Sequence, residues 1–286
     1  MANRKQRQAI AAETISILER EIYSIDCNSV NLSEMLLAMR EGTVLYSPSE
    51  IKLLLETLGS DSNYKTNRET VHKVVNCTTF AAANSLIHDG FVNPLCLNFA
   101  SAKNPGGGFL SGSQAQEECL ARGSGLYQSL TQQMKYYEVN RSEKSALYTN
   151  HIIYSPNVPV FRNDNDRLLD EPYLISIVTS PAVNAGAVRK NELHNINLIQ
   201  TTMEHRIRSV LAVARKHNHN SLVLGAWGCG VFANNPNNIA KWFYDSLTTD
   251  SRFKNKFDRI IFAVLDYAPD TPTYNAFCNA IPISGR

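Results

Sequence analysis

Apolar residues recur at helix spacing through the first sixty positions, then give way to short apolar runs after residue 70. Ile15, Leu18, Ile22 and Ile25 form one stripe and predict an opening amphipathic helix. Asn31 and Glu34 have capping-box spacing ahead of Met35, Leu36 and Met39. Ser47-Pro48-Ser49-Glu50 is a stronger start signal: a cap, a proline at the first helical position and a glutamate at the third. Ile51, Leu54, Leu55 and Leu58 supply its buried stripe, and Gly59 its stop. The polar stretch 60–69 reads as a connection.

Val71–Val75 and Leu95–Phe99 read as short strands, with a helix over Phe80–Ile87 between them. A helix is expected to begin around Gln114–Gln116. His151–Tyr154 and Tyr173–Thr179 read as strands, and Phe161–Glu171 as a polar loop between them. Leu198–Lys216 is expected as a helix, Leu222–Leu224 as a strand, 225–236 as a loop, Ile239–Leu247 as a helix and Arg259–Leu265 as a last buried strand. Strands alternating with helices predict an α/β fold with a mixed or mainly parallel sheet covered by helices. No proline- or glycine-rich linker divides the N-terminal helices from the rest. Residues 1–65 are therefore expected as an extension packed on a main domain of residues 66–286.

Composition narrows the class. At 286 residues, 43% apolar and 19% charged, the chain can bury a full core without staples. A net charge of +2 gives no broad footprint for a nucleic-acid backbone. The six cysteines show neither CxxC nor zinc-finger spacing, and the seven histidines are scattered, so no metal is expected. Cys119 reads as a packed thiol. No apolar run has the length of a signal peptide core or a membrane span, so no membrane partner is expected and cytoplasmic residence is the default.

The chemistry concentrates at two glycine-rich segments. Gly106-Gly107-Gly108 follows the strand at 95–99, and Gly225-Ala226-Trp227-Gly228-Cys229-Gly230 follows the strand at 222–224. That places both at the carboxyl edge of a sheet, where open α/β folds bind ligands. Neither matches a nucleotide fingerprint. Bare backbone amides can nevertheless cradle a pyrophosphate. Phe232 and Trp227 are either core aromatics or a stacking surface, with stacking fitting Phe232 better. Glu117 and Glu118 follow the first segment. Adjacent helical residues point about 100° apart, so the two cannot oppose each other like an ordinary glycosidase pair. One carboxyl can face a ligand while the other holds it. A carboxyl confined near apolar groups can donate a proton and later take one from water. A favourable helix N-terminus also explains two glutamates there.

The run Asn98-Phe99-Ala100-Ser101-Ala102-Lys103-Asn104-Pro105-Gly106-Gly107-Gly108-Phe109-Leu110, with Gln116-Glu117-Glu118, resembles the signature of microbial-type poly(ADP-ribose) glycohydrolases. Leu224–Phe232 resembles that family's second ligand loop, and the likeness extends over nearly the whole chain. The resemblance implies a macrodomain-like three-layer α/β/α fold with a mixed central sheet and an N-terminal helical extension. It implies hydrolysis of the ribose–ribose O-glycosidic bond of poly(ADP-ribose), from chain ends, with ADP-ribose as product and no metal or other cofactor. Glu118 matches the catalytic glutamate, and Glu117 the partner that holds the ribose. Gly106, Gly107 and Gly108 match the catalytic loop. Gly228, Cys229 and Gly230 match the diphosphate loop, with Val231 and Phe232 beside it. Asn98, Asn104, Phe109 and Gln116 are further substrate-binding candidates, and Tyr267 either lines an adenosine end or is a surface tyrosine. The expected partners are poly(ADP-ribose) or an ADP-ribosylated protein, with nucleic acid only as an ADP-ribosylated substrate, and the chain is expected as a monomer. A hydrolase of single ADP-ribose groups and a non-catalytic ADP-ribose reader are the competing readings.

Overall fold

A computed structural model describes residues 2–60 and 69–282. The polar connection expected at 60–69, and with it the boundary at 65/66, falls almost wholly outside those residues. Helix α1 (Arg4–Arg20) opens with a capping box, in which Asn3 accepts from the Gln6 amide while the Gln6 side chain accepts from the Asn3 amide. The helix stops at Glu21, which turns left-handed at φ 57°. Ile22 and Ile25 therefore do not extend its stripe. They belong to strand β1 (Ile22–Ile25), paired antiparallel with β2 (Asn28–Asn31). Residues three apart share one face of a helix but lie on opposite faces of a strand, and the left-handed turn at Glu21 decides between the two. The expected Asn31–Glu34 box does not form either. Asn31 accepts from the Ser33 amide, and the residue that caps helix α2 (Ser33–Gly42) is Leu32, without a side-chain bond. Strand β3 (Val44–Tyr46) and helix α3 (Pro48–Ser60) follow. At the start of α3, Glu50 accepts from the Ser47 amide at 2.7 Å and the Ser47 hydroxyl accepts from the Glu50 amide at 3.3 Å.

The main body runs β4 (Val71–Val75), α4 (Thr79–His88), β5 (Leu95–Phe99), α5 (Gln116–Gly123), α6 (Leu126–Gln132) and α7 (Met134–Ser142). It continues through β6 (Ile152–Arg162), β7 (Leu168–Ser180), α8 (Ala185–Asn191), α9 (Leu198–Lys216) and β8 (Ser221–Gly225), then α10 (Pro236–Thr248), β9 (Arg259–Ala263) and α11 (Pro272–Ala280). The expected loop over Phe161–Glu171 is mostly strand. Arg162 pairs with Leu168, so β6 and β7 form one long hairpin whose turn is only 163–167. Its outer end carries polar, solvent-facing residues, which is why its sequence reads as a loop.

Seven strands lie in the order β3-β6-β7-β5-β8-β9-β4. The five from β7 to β4 are parallel, while β3 and β6 are antiparallel additions. Side chains alternate between two cores. Leu95, Leu97, Leu222, Leu224, Ile260 and Phe262 face α3, α9, α10 and α11. Cys96, Val223 and Ile261 face α1, α2, α4 and the helices α5–α7. A sheet buried on both faces produces continuous apolar strands, and two helical layers around one mixed sheet make the three-layer α/β/α architecture of a macrodomain. The N-terminal segment is bound into it: β3 adds an edge strand, α1 and α2 cover one face, and α3 covers the other. Among the described residues no helix is long and apolar enough to cross a membrane.

Candidate active site

The parallel strands β5, β8 and β9 are neighbours, so the segments leaving their carboxyl ends meet. They enclose a cleft of about 660 Å³, bordered by Ser101, Asn104, Gly107, Gly108 and Gln114–Leu120 on one side and Ala226–Phe232 on the other. Its remaining wall comes from the β4 and β9 ends, with Thr78, Leu265 and Tyr267, and from Asp164 in the hairpin turn.

Glu117 is the buried member of the carboxylate pair, 3% exposed. Its Oε2 accepts from the Ser101 amide at 2.6 Å, and its Oε1 from the Asn98 side-chain amide at 3.3 Å. Burial pushes its carboxyl up to about 8, against the opposing pull of those donors. Glu118 is half-buried on the cleft wall, where its Oε1 accepts from the Gly108 amide at 2.9 Å. Gly106 and Gly107 sit at φ 66° and 60°, left-handed values that favour glycine. A Cβ on Gly107 would meet Glu118 Oε1 at 2.5 Å and Glu117 Oε2 at 3.0 Å. The turn thus lies directly against both carboxylates.

The remaining candidates divide. Asn104, Gly107, Gly108, Gln116, Gly228, Cys229, Gly230, Val231 and Phe232 border the cleft with the two glutamates. Three others stand behind it. Asn98 is fully buried and bridges Glu117 to the Thr179 hydroxyl, so it orients a carboxylate. Gly106 is buried in the turn. Phe109 corrects the expectation of a substrate contact: it is fully buried, packed on Ala11 and Ala121 and 4.8 Å from the Tyr127 ring centroid. A short 3₁₀ turn at Phe109–Ser111 rolls its ring inward. Gln116 reaches the cleft, yet its amide is committed to the scaffold. It accepts from the Phe99 amide and donates to the Leu97 carbonyl and the Thr79 hydroxyl. Trp227 is a core aromatic, donating to the Ser180 carbonyl at 3.2 Å and packing on Phe243. Phe232 is half-buried at the cleft edge, 6.0 Å from the Tyr148 ring centroid, and Tyr267 is an exposed residue of the wall. Burial raises the Cys229 thiol to about 12 and also raises Cys119, so neither is a thiolate nucleophile at neutral pH.

Sequence reasoning missed the outer supports of this loop. From α1, Arg4 Nε and Gln8 Nε2 donate to the Ser111 carbonyl at 3.0 and 3.2 Å, and Arg7 Nε donates to the Gly112 carbonyl at 2.8 Å. Buried Arg122 ties the same region to the hairpin turn, bonding the Gln114 side chain at 2.7 Å and Asp166 at 3.1 Å. These grips fall on backbone carbonyls and on partners distant in sequence. The one sequence signal was three basic residues, Arg4, Lys5 and Arg7, among the first seven positions. Among the described residues no group of His, Cys, Asp and Glu has the arrangement of a metal site.

Residues 11–163, more than half of the chain, match the family described as microbial-type PARG, catalytic domain. A crystal structure of poly(ADP-ribose) glycohydrolase from Thermomonospora curvata superposes with a TM-score of 0.91 and is 44% identical, over 96% of this chain and 99% of that one. The same enzyme bound to the inhibitor ADP-HPD gives 0.88 and 43% over the same shares. Poly(ADP-ribose) glycohydrolase from Deinococcus radiodurans in complex with ADP-ribose gives 0.80 and 47%, over 86% of this chain and 97% of that one. No curated protein sequence matches the chain.

Proposed function

This chain belongs to the microbial-type poly(ADP-ribose) glycohydrolase family, and we infer that it hydrolyses the ribose–ribose O-glycosidic bond of poly(ADP-ribose), from chain ends, to release ADP-ribose. The observation that carries this reading is a half-exposed Glu118 on the cleft wall, with a buried Glu117 behind it and bare glycine backbone against both. The relatives named for ADP-ribose and ADP-HPD complexes support the choice of ligand.

In this mechanism Glu118 gives its proton to the leaving ribose oxygen as the anomeric C–O bond breaks. The resulting carboxylate stabilises the oxocarbenium-like sugar and takes a proton from the water that attacks the anomeric carbon. That water supplies the hydroxyl of the product, and Glu118 ends protonated, ready for the next bond. Glu117 plays a different part from the one like-charge repulsion would give it. Burial keeps it protonated at neutral pH, so it acts on the ribose as a fixed neutral hydrogen-bonding group. The amides of Gly228 and Gly230 take the diphosphate, that of Cys229 being bonded to the Ala226 carbonyl, and Phe232 covers the sugar beside it. Action at chain ends rests on the family likeness. The protein works as a monomer in this reading.

Glu118→Gln should retain ADP-ribose affinity while kcat on poly(ADP-ribose) falls by about 10²–10⁴-fold. Turnover at the parent rate would remove Glu118 from the mechanism. Time-resolved products separate the alternatives. ADP-ribose from the first time point supports chain-end hydrolysis, early oligomers point to internal cleavage, and binding without products marks a reader.

A further inference from the structure

A chain cleaved at its end leaves behind a polymer whose next unit also carries a diphosphate. That unit must pass out of the cleft on the Glu118 side. The carboxyl edge of the sheet is charge-asymmetric there. On the β9–β4 side stand Asp164, hydrogen-bonded by Thr78, and Asp266, which accepts from the Ala268, Thr273 and Tyr274 amides. On the β5–β7 side stand five exposed cations: Lys103, Arg141, Lys144, Arg189 and Lys190.

The two lips of that side are built into the site. Arg141 Nε donates to the Lys103 carbonyl at 2.7 Å, in the segment whose Ser101 amide holds Glu117. Arg189 donates to the Ala233 carbonyl at 2.9 Å, next to Phe232. Segment 144–150 bridges the lips. The Asn184 amide donates to the Ala146 carbonyl, and fully buried Arg206 donates to the carbonyls of Leu147, Tyr148 and Thr149. None of the five cations pairs with a carboxylate among the described residues. Of the acids in the same wall, Glu143 accepts from the Ser145 amide, and Glu192 accepts from the Ala146 amide and the Ser145 hydroxyl. Glu138 lies one turn before Arg141 and forms no ion pair with it. Arg141 and Arg189 are therefore held at the two lips by backbone contacts, while Lys103, Lys144 and Lys190 stand exposed near them in the chain, and all five are open to an anion from outside.

We propose that Lys103, Arg141, Lys144, Arg189 and Lys190 form a rim subsite for the diphosphate of the ADP-ribose unit on the leaving side of the scissile bond. This rests on poly(ADP-ribose) being the substrate. Mobile cations beside a cleft raise polymer capture and make it salt-dependent, while a single ADP-ribose that fills only the cleft does not touch them.

The test compares ADP-ribose with a two-unit poly(ADP-ribose) fragment as ligands, both on Glu118→Gln protein so that the fragment survives. The fragment should bind about tenfold more tightly. Adding Lys103→Glu, Lys144→Glu and Lys190→Glu, three side chains without internal bonds, should abolish that gain, flatten the salt dependence by about two units of log–log slope, and leave ADP-ribose affinity unchanged. Equal affinity for the two ligands, or a gain that survives the triple reversal, overturns the subsite. The hydrolase reading is tested separately by the Glu118-intact protein on the same fragment. Failure to release ADP-ribose there overturns that reading, while the binding comparison still decides the rim.

Discussion

The two glycine segments look alike in sequence, and they differ in what surrounds one glycine, Gly230. In the catalytic turn each glycine is explained by the protein's own atoms. A Cβ on Gly106 would strike the Phe109 ring, one on Gly107 the two carboxylates, and one on Gly108 the Ser113 hydroxyl. In the second loop, a Cβ on Gly225 would clash with the Ala263 carbonyl, and one on Gly228, at φ 74°, would clash with Ala182. Gly230 differs from all of these. It has ordinary φ, and a Cβ there would meet nothing within 4 Å. The first turn uses glycine to bring backbone onto the two carboxylates. At Gly230 nothing inside the protein occupies the side-chain position, which leaves the bare backbone open to a ligand that approaches the chain.

The contrast predicts different failures. Gly107→Ala should be the most damaging, because the methyl enters both carboxylates' space and the backbone is left-handed there. We expect kcat to drop by about 10³-fold, on the scale of losing a general acid. A kcat within a few-fold of the parent would show that the turn does not fix the pair. Gly230→Val should leave thermal stability unchanged and weaken ADP-ribose binding by about 10²-fold, the cost of obstructing a phosphate path (about 3 kcal/mol). Calorimetric titration that found parental affinity would place the diphosphate elsewhere.

The two loops are also held differently, and this is where the sequence was least legible. The second loop is held by its own Asn234, whose side chain donates to the Gly228 and Val183 carbonyls, and by α8, where the Gly186 amide and Arg189 donate to the Phe232 and Ala233 carbonyls. The catalytic turn is gripped from outside by α1. Glycine spacing and the adjacent glutamates were readable because both are local. Strand-then-glycine order fixed the carboxyl-edge location for the same reason. The inward roll of Phe109 was not readable, since a residue following three glycines can take either side of the turn. Nor was the grip of Arg4, Arg7 and Gln8, because it captures carbonyls that any sequence would present. The β6–β7 hairpin was hidden by polar residues at its tip, although that tip brings Asp164 to the cleft and Asp166 to Arg122. Removing the external grip should cost less than disturbing the turn itself. Arg7→Ala is expected to lower kcat about threefold to tenfold through loss of one charge-assisted hydrogen bond of about 1–2 kcal/mol, with ADP-ribose affinity retained. Equal loss of kcat and affinity would mean that α1 supports the whole fold and not this turn in particular.

The last prediction is read on stability, not on turnover, and isolates the burial of Glu117. Its carboxyl has an ordinary value of 4.5 and is pushed up to about 8 in the folded protein, chiefly by desolvation. Between those values the folded protein holds a proton that the unfolded chain has released. Stability must then fall as pH rises across that window, by at most about 1.4 kcal/mol per unit. Below the window both states are protonated, and above it both are ionised, so the contribution is flat on either side. Glu117→Gln removes this titration while keeping a hydrogen-bonding side chain. Urea unfolding of parent and variant at pH 5, 6, 7 and 8 gives the difference directly. The histidines held below their ordinary value, such as His217 and His219, titrate alike in both proteins and cancel. The parent should lose stability relative to the variant steadily from pH 5 to 8. Parallel curves would show Glu117 ionised in the folded state, and the carboxylate pair would then act through charge and not through a buried neutral acid.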